Sequence, residues 1–352
     1  MTRVLARFLA IACIALAAYP AVGAPGKAAP DAKYSVSERW TLGGAGGWDL
    51  LTIDAAAKRI YLSRSDRVIV IDSGSGKLVG EIAHTEGVHG IAIAADLGHG
   101  YTSNGRSNSV TVFDLKSLKP LNDIKIEGQN PDVILYDPGK QRVYTFNGRS
   151  KDISVIDAKT SALAGTIPLD GKPEFAVFGA GNDLYVNIED KSELALVDTQ
   201  TLKVKSAWKI PDCDEPTGLA FDAAHRRLFS ACANHRLAVT DSGDGHSVAS
   251  VPIGGGPDGA VFDASRALVF TPNGEDGTLS IIHEDDPDHF SVVGTVTTQK
   301  SARTVALDSE SHRLFLPAAE FGAAPAATAE QPHPRPPVLP GSFSVLVVTP
   351  SQ

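Results

Sequence analysis

Helical periodicity is missing from this chain: no ten-residue window spaces its apolar residues three and four apart. An all-α or α/β architecture is thereby excluded. Nucleophile and redox signatures are missing as well. There is no Gly-x-Ser-x-Gly, no Cys-x-x-Cys and no Cys-x-x-Cys-His, which removes dithiol chemistry and covalent haem. Basic excess is absent: 32 Lys and Arg face 41 Asp and Glu, a formal charge of −9. Such a chain is a poor general binder of nucleic acid or anionic membrane. Tryptophan is limited to Trp40, Trp48 and Trp208, so stacked aromatic platforms for single strands are not in sight.

Long apolar runs are confined to the N-terminus. Arg3 and Arg7 precede an uninterrupted run from Phe8 to Ala18, and Ala21-Val22-Gly23 supplies small residues for a peptidase. Residues 1–23 therefore read as a cleavable secretory signal cut after Gly23, too short for a membrane span. A lipoprotein signal with Cys13 as the acylated residue is the rival reading. Residues 24–33 read as a flexible leader. Losing Arg3 and Arg7 takes the charge from −9 to −11. Export to the periplasm or medium leaves Cys213 and Cys232 as an even pair in an oxidising compartment. Cys213 precedes a strand whose hairpin partner ends at Cys232, so the two are expected to form a disulfide.

What is present in quantity is repetition. "HGYTSNGRSNSVTVFD" at 99–114 returns as "RVYTFNGRSKDISVID" at 142–157. Alignment on the aromatic finds seven copies, at Tyr61, Tyr101, Tyr144, Tyr185, Phe229, Phe270 and Phe315, in steps of 40 to 45 residues. Each unit holds four short runs rich in Val, Ile, Tyr and Phe, divided by Gly, Asn, Asp and Lys. Four strands in a unit of about 40–45 residues is the pattern of a propeller blade. The expectation is an all-β, seven-bladed β-propeller over residues 34–349. Its last unit has one strand too few and its first has one to spare. Pairing 34–42 with 343–349 would close the ring. The Pro/Ala-rich stretch 321–340 is expected to loop out of the last blade, with a partner-binding polyproline segment as the other reading.

The "YxxN…G…VxVID" repeat resembles the YVTN-type β-propellers, specifically the YncE-like exported proteins of bacteria. The resemblance covers essentially the whole chain after the leader and implies ligand binding at a channel mouth. The fifth and seventh copies, "FSACANHRLAVTD" and "FLPAAEFG", depart from the motif.

Repeated positions hold a scaffold, and variable residues in a fixed slot carry individuality. Twelve residues before each aromatic (eleven in the fourth copy) stand Asp49, His89, Asp132, Glu174, Thr217, Asp258 and Arg303. Six of the seven ionise, at the start of strands that should line the channel. They are the candidate ligand-binding residues, with hydrated strand ends as the bland alternative. Crowded carboxylates raise one another's proton affinity or attract a cation, and His89 among them should have a raised pKa. A divalent cation (Ca²⁺, Mg²⁺ or Mn²⁺) is the cofactor such a set would hold, although no contiguous metal motif exists. The strand-end loops 104–107, 147–150, 188–190, 233–236 and 273–276 should reach the same mouth. His225 is expected to be solvent-exposed at the opposite end, His235 to lie near the mouth, and His283 to cap a turn. The recurring Asp72, Asp114, Asp157, Asp198 and Asp241 read as turn formers.

The leading functional expectation is a monomeric binding or scaffold protein for a small polar ligand or a periplasmic protein. The alternative is a lactonase-like hydrolase or lyase, with His89 as general base, Arg303 as oxyanion stabiliser and Asp132 or Glu174 orienting the histidine. A third is service to a quinone-dependent enzyme without holding its cofactor.

Overall fold

A computed structural model describes residues 33–326, 328, 334 and 336–351. The signal segment 1–23, the leader apart from Lys33, and part of the 321–340 stretch lie outside the described residues.

Seven four-stranded antiparallel sheets form a seven-bladed β-propeller. Blades one to six run in chain order over 51–83, 88–125, 131–168, 173–209, 216–252 and 261–297. The seventh combines 306–308, 313–318 and 344–350 with the N-terminal strand Tyr34–Thr41, which pairs antiparallel with Ser344–Pro350 on its outer side. Among the described residues no helix is long and apolar enough to cross a membrane.

Burial follows strand position. The second strand of each blade is buried on both faces, because blades stack face to face. That requirement produces runs such as "RVYTFN" rather than alternation. All seven register aromatics sit there, fully buried or nearly so. The fourth strands carry mostly exposed residues, as in Ala162–Pro168. Between third and fourth strands the recurring aspartate accepts from the backbone two and three residues on: Asp157 Oδ1 takes Lys159 N at 3.0 Å and Thr160 N at 2.8 Å. Asp72 and Asp198 do the same.

The closing strand is locked by aromatics. Trp40 packs against Phe315, and Tyr34 meets Phe270 of blade six edge to face at 5.0 Å. Gly76, at φ +67°, lies under Trp40, where a Cβ would fall 2.3 Å from the indole. The 321–340 stretch leaves and returns beside itself, Phe321 bridging Val338, and Phe321 packs on Trp48. Cys213 and Cys232 form a disulfide tying the segment before blade five to that blade's second strand.

One histidine departs from expectation. His283 does not cap a turn. Blade six runs its third strand on to Asp286 and its fourth from His289, nine residues each, so the hairpin is longer than in the other blades. His225 is exposed, as expected, and its imidazole also meets two buried carboxyl groups.

Candidate functional site at the channel mouth

Local geometry re-aims the slot residues. In blades two to five the innermost strand pairs at its first residue, then shifts register before pairing resumes: Val88 to Ile91, Pro131 to Ile134, Pro173 to Ala176, Pro216 to Leu219. His89, Asp132, Glu174 and Thr217 lie inside these irregularities. A bulge frees a residue from the ladder and turns its side chain away from the pleat. Blade six repeats the device, Pro257 bridging Asn273 with Asp258 next.

Five of the seven slots are then pinned by the blade before them. The carbonyls accept as follows: Asp49 from Thr304 Oγ1 at 2.9 Å, His89 from Leu50 N at 3.2 Å, Arg303 from Asp258 N at 3.1 Å. Thr217 O accepts from Asn187 Nδ2 at 3.1 Å, and Asp132 O accepts from Ser103 Oγ. The ring's tethers thus position the site's backbone, so scaffold and site share hydrogen bonds.

All seven slot residues line one cavity of about 460 Å³, joined there by Lys172 and Glu189. Around it runs a chain of ion pairs. Arg303 donates Nε to Asp258 Oδ2 at 2.6 Å and Nη2 to Asp49 Oδ1 at 3.0 Å. Asp49 Oδ2 lies 2.5 Å from His89 Nδ1, which lies 3.8 Å from Asp132 Oδ1. Opposite, Lys172 Nζ bonds Glu174 Oε1 at 2.6 Å and also Glu189. Thr217 donates Oγ1 to Pro257 O at 2.9 Å, so it serves the backbone rather than the ion-pair chain.

Electrostatics follow from burial. Burial disfavours the His89 imidazolium, but the bond to Asp49 and the charges of Asp132 and Glu174 outweigh it and raise the pKa to about 9. Burial lifts Glu174 to about 8, assisted by Asp132 and opposed by Lys172. Burial likewise raises Asp258 to about 7 against the pull of Arg303, and Asp132 to about 6 against that of His89. Five carboxyl groups therefore face three cations. Three of the carboxyl groups are raised by burial first, with neighbouring carboxylates adding to it.

Asp49, His89 and Asp132 bring potential metal-ligand atoms within 4.8 Å of one another. A cation there would displace the His89 proton and share Asp49 with Arg303. A second cavity of about 570 Å³ opens beside the first, sharing Asp49, His89 and Arg303 and lined by Arg106 and Arg149 of the two "NGRS" loops. The loops 233–236 and 273–276 contribute no side chain to either cavity, and neither does His235.

Sequence reasoning missed Lys172. Its signal was the Lys before Pro173-Glu174, where other blades carry Asn, Glu or Gly before the proline.

No protein-family model matches the chain, and no curated protein matches it. Solved structures do. The chain is similar to Kuenenia stuttgartiensis hydrazine synthase, with a TM-score of 0.67 and 15% identity over 77% of this chain and 92% of that one. It is similar to U3-55K, with a TM-score of 0.73 and 10% identity over 89% of this chain and 99% of that one. The WD40 repeats of RRP9 give 0.73 and 9%, over 89% and 98%. At these identities the likeness is one of fold alone.

Proposed function

We propose that this chain is an exported binding propeller of the YncE-like kind, taking a small polar ligand into the channel mouth. The observation that carries the reading is convergence: seven residues from seven blades, alike only in position, line one cavity. Carboxyl groups outnumber cations there, which favours a ligand that offers hydrogen-bond donors, an amine or a polyol, over an anion. The Cys213–Cys232 disulfide is compatible with an oxidising compartment, as a signal at 1–23 would require.

The lactonase-like alternative is weaker on one specific ground. With a pKa near 9, His89 carries its proton at neutral pH and has no base to offer.

Differential scanning fluorimetry of protein lacking residues 1–23, against polyamines, amino sugars, sugars, lactones and quinones, tests the proposal. A stabilising hit from the donor-rich classes, lost in Asp132→Asn and in Glu174→Gln, is expected. No stabilisation by any class, or a hit indifferent to both substitutions, would overturn it. Turnover of a lactone abolished by Arg303→Met would favour the hydrolase instead.

A further inference from the structure

At the end of the molecule opposite the channel mouth, blades five and six share a second cluster of ionisable groups. Asp222 ends the innermost strand of blade five, and His225 follows in its turn. Glu284 comes from the elongated third strand of blade six, Thr278–Asp286. His225 Nδ1 lies 2.7 Å from Asp222 Oδ2 and 3.1 Å from Glu284 Oε1. The three ligand atoms lie within 4.8 Å of one another.

Burial makes the cluster unusual. Asp222 and Glu284 are each 4% exposed, while the His225 side chain is 47% exposed. Among the described residues neither Glu284 oxygen accepts a hydrogen bond of good geometry, the imidazole contact included, although both are out of solvent. One imidazole nitrogen carries one proton, and the shorter contact gives that proton to Asp222. Among the described residues no lysine or arginine pairs with Asp222 or Glu284. The adjacent Arg227 is committed elsewhere, to Asp241 at 2.5 Å, Asp288 at 3.1 Å and Pro287 O at 2.6 Å. Asp222 also accepts from the backbone N–H groups of Ala224 at 2.9 Å and His225 at 3.2 Å, so the deficit falls on Glu284, which meets a second buried carboxyl group and has only the shared imidazole nearby as a donor. A buried carboxylate left so is strongly unfavourable unless a proton or a cation compensates it.

We propose that Asp222, His225 and Glu284 form a binding site for a divalent transition-metal ion, of the zinc or manganese class, that links blades five and six. One imidazole nitrogen and two carboxylate oxygens is a ligand set for such an ion, whereas Ca²⁺ prefers six to eight oxygens. Bonds of about 2 Å need only a small opening of the present contacts, with the Nδ1 proton leaving. The exposed side of His225 leaves room for water to complete the shell. The reason for the longer hairpin follows: it carries Glu284 over the neighbouring blade, where Arg227 clamps its tip. This site is independent of the channel-mouth reading.

Isothermal titration of EDTA-treated, dialysed protein with Zn²⁺ and with Mn²⁺ tests it, alongside melting curves. One equivalent of at least one ion should bind and raise the melting temperature. Affinity should fall at least tenfold in His225→Ala and in Glu284→Gln. Because His225 is half exposed, its substitution leaves the fold intact even if that of Glu284 does not. No binding of either ion would overturn the proposal. So would binding that survives His225→Ala, whether it then depends on His89 at the mouth or on the exposed His246.

Discussion

His89 and Asp49, neighbours across two blades, hold their contact at 2.5 Å inside a ring of five carboxyl groups, and this pair sets the pH response of the channel mouth. The folded pKa of His89, about 9, lies above its ordinary value. Its stabilisation is therefore complete below about pH 6.5 and disappears as pH rises through 9. Asp132, Glu174 and Asp258 have raised pKa values too, so protonation favours their folded state and stability again falls with rising pH. Both sets act in one direction. The carboxyl contributions fall from about pH 4 up to their folded values and that of His89 from about 6.5 to 9, so the melting temperature should decline between about pH 4.5 and 9.5, and His89→Gln should flatten the upper half of that decline, by on the order of 2 kcal/mol. Melting curves across the range check it; a profile unchanged by the substitution would contradict the pairing.

The turn aspartates act with opposite sign. Asp157 is held below the usual carboxylate range, first by the backbone N–H of Thr160 and then by its hydroxyl. Asp72 and Asp114 are depressed chiefly by the hydroxyls of Ser75 and Ser117. Their contribution is present above about pH 4 and lost as pH falls through their folded values. Acid unfolding should therefore begin at a higher pH in Asp157→Asn than in the parent chain, measured by circular dichroism from pH 5 to 2.

Residues that repeat declare the fold, and so the seven blades were legible from Tyr61 through Phe315. The slot was legible for a related reason, because a strand start must face the channel wherever it occurs. Lys172 escaped because proximity across a loop, not spacing, pairs it with Glu189. The Asp222–His225–Glu284 cluster escaped because it joins two blades at one point and recurs nowhere. A signal existed: blade six has His283 where other blades keep the turn aspartate, and "EDDPDH" then postpones the turn. Repeat analysis reads such a departure as noise until the hairpin is seen to extend.

Among the described residues the fully buried Arg64 has no carboxylate partner. Its guanidinium lies over Phe343 at 3.7 Å and donates to the carbonyls of Gly43, Gly44, Ala45 and Gly46. Burial, with the charge of Arg67, lowers its pKa to about 10. The loop it holds leads to Trp48 and Asp49, so the side chain orders one wall of the mouth. Arg64→Met should cost roughly 2–4 kcal/mol through carbonyls deprived of their donors. Arg64→Lys should recover less than half, since an ammonium cannot span four acceptors. Urea denaturation of the three proteins measures both effects.

The Cys213–Cys232 bridge encloses residues 214–231, including the slot residue Thr217. Closing a loop of about 20 residues stabilises by about 3 kcal/mol in the chain-entropy account. Replacing both cysteines with serine should lower the urea midpoint accordingly, and dithiothreitol should lower that of the parent but not that of the variant. Equal sensitivity in the two proteins would mean that the thiols are not paired in solution.

Closure rests on Tyr34–Thr41, the strand that both termini need. It pairs with Ser344–Pro350 and sets Trp40 against Phe315 and Tyr34 against Phe270, binding blade seven to blade six. Trp40→Ala should cost about 3–5 kcal/mol, because the indole is buried and Gly76 leaves nothing to collapse into its place. Removing residues 34–42 has a larger consequence. The outer edge of Ser344–Pro350 becomes an unpaired row of donors and acceptors, a template for another chain. The truncated protein should therefore self-associate, appearing as dimer or larger species in size-exclusion chromatography with light scattering. Addition of a peptide spanning 34–42 should restore the monomer by occupying that edge. A truncated protein that stays monomeric and melts with the parent would show that the ring does not depend on this strand.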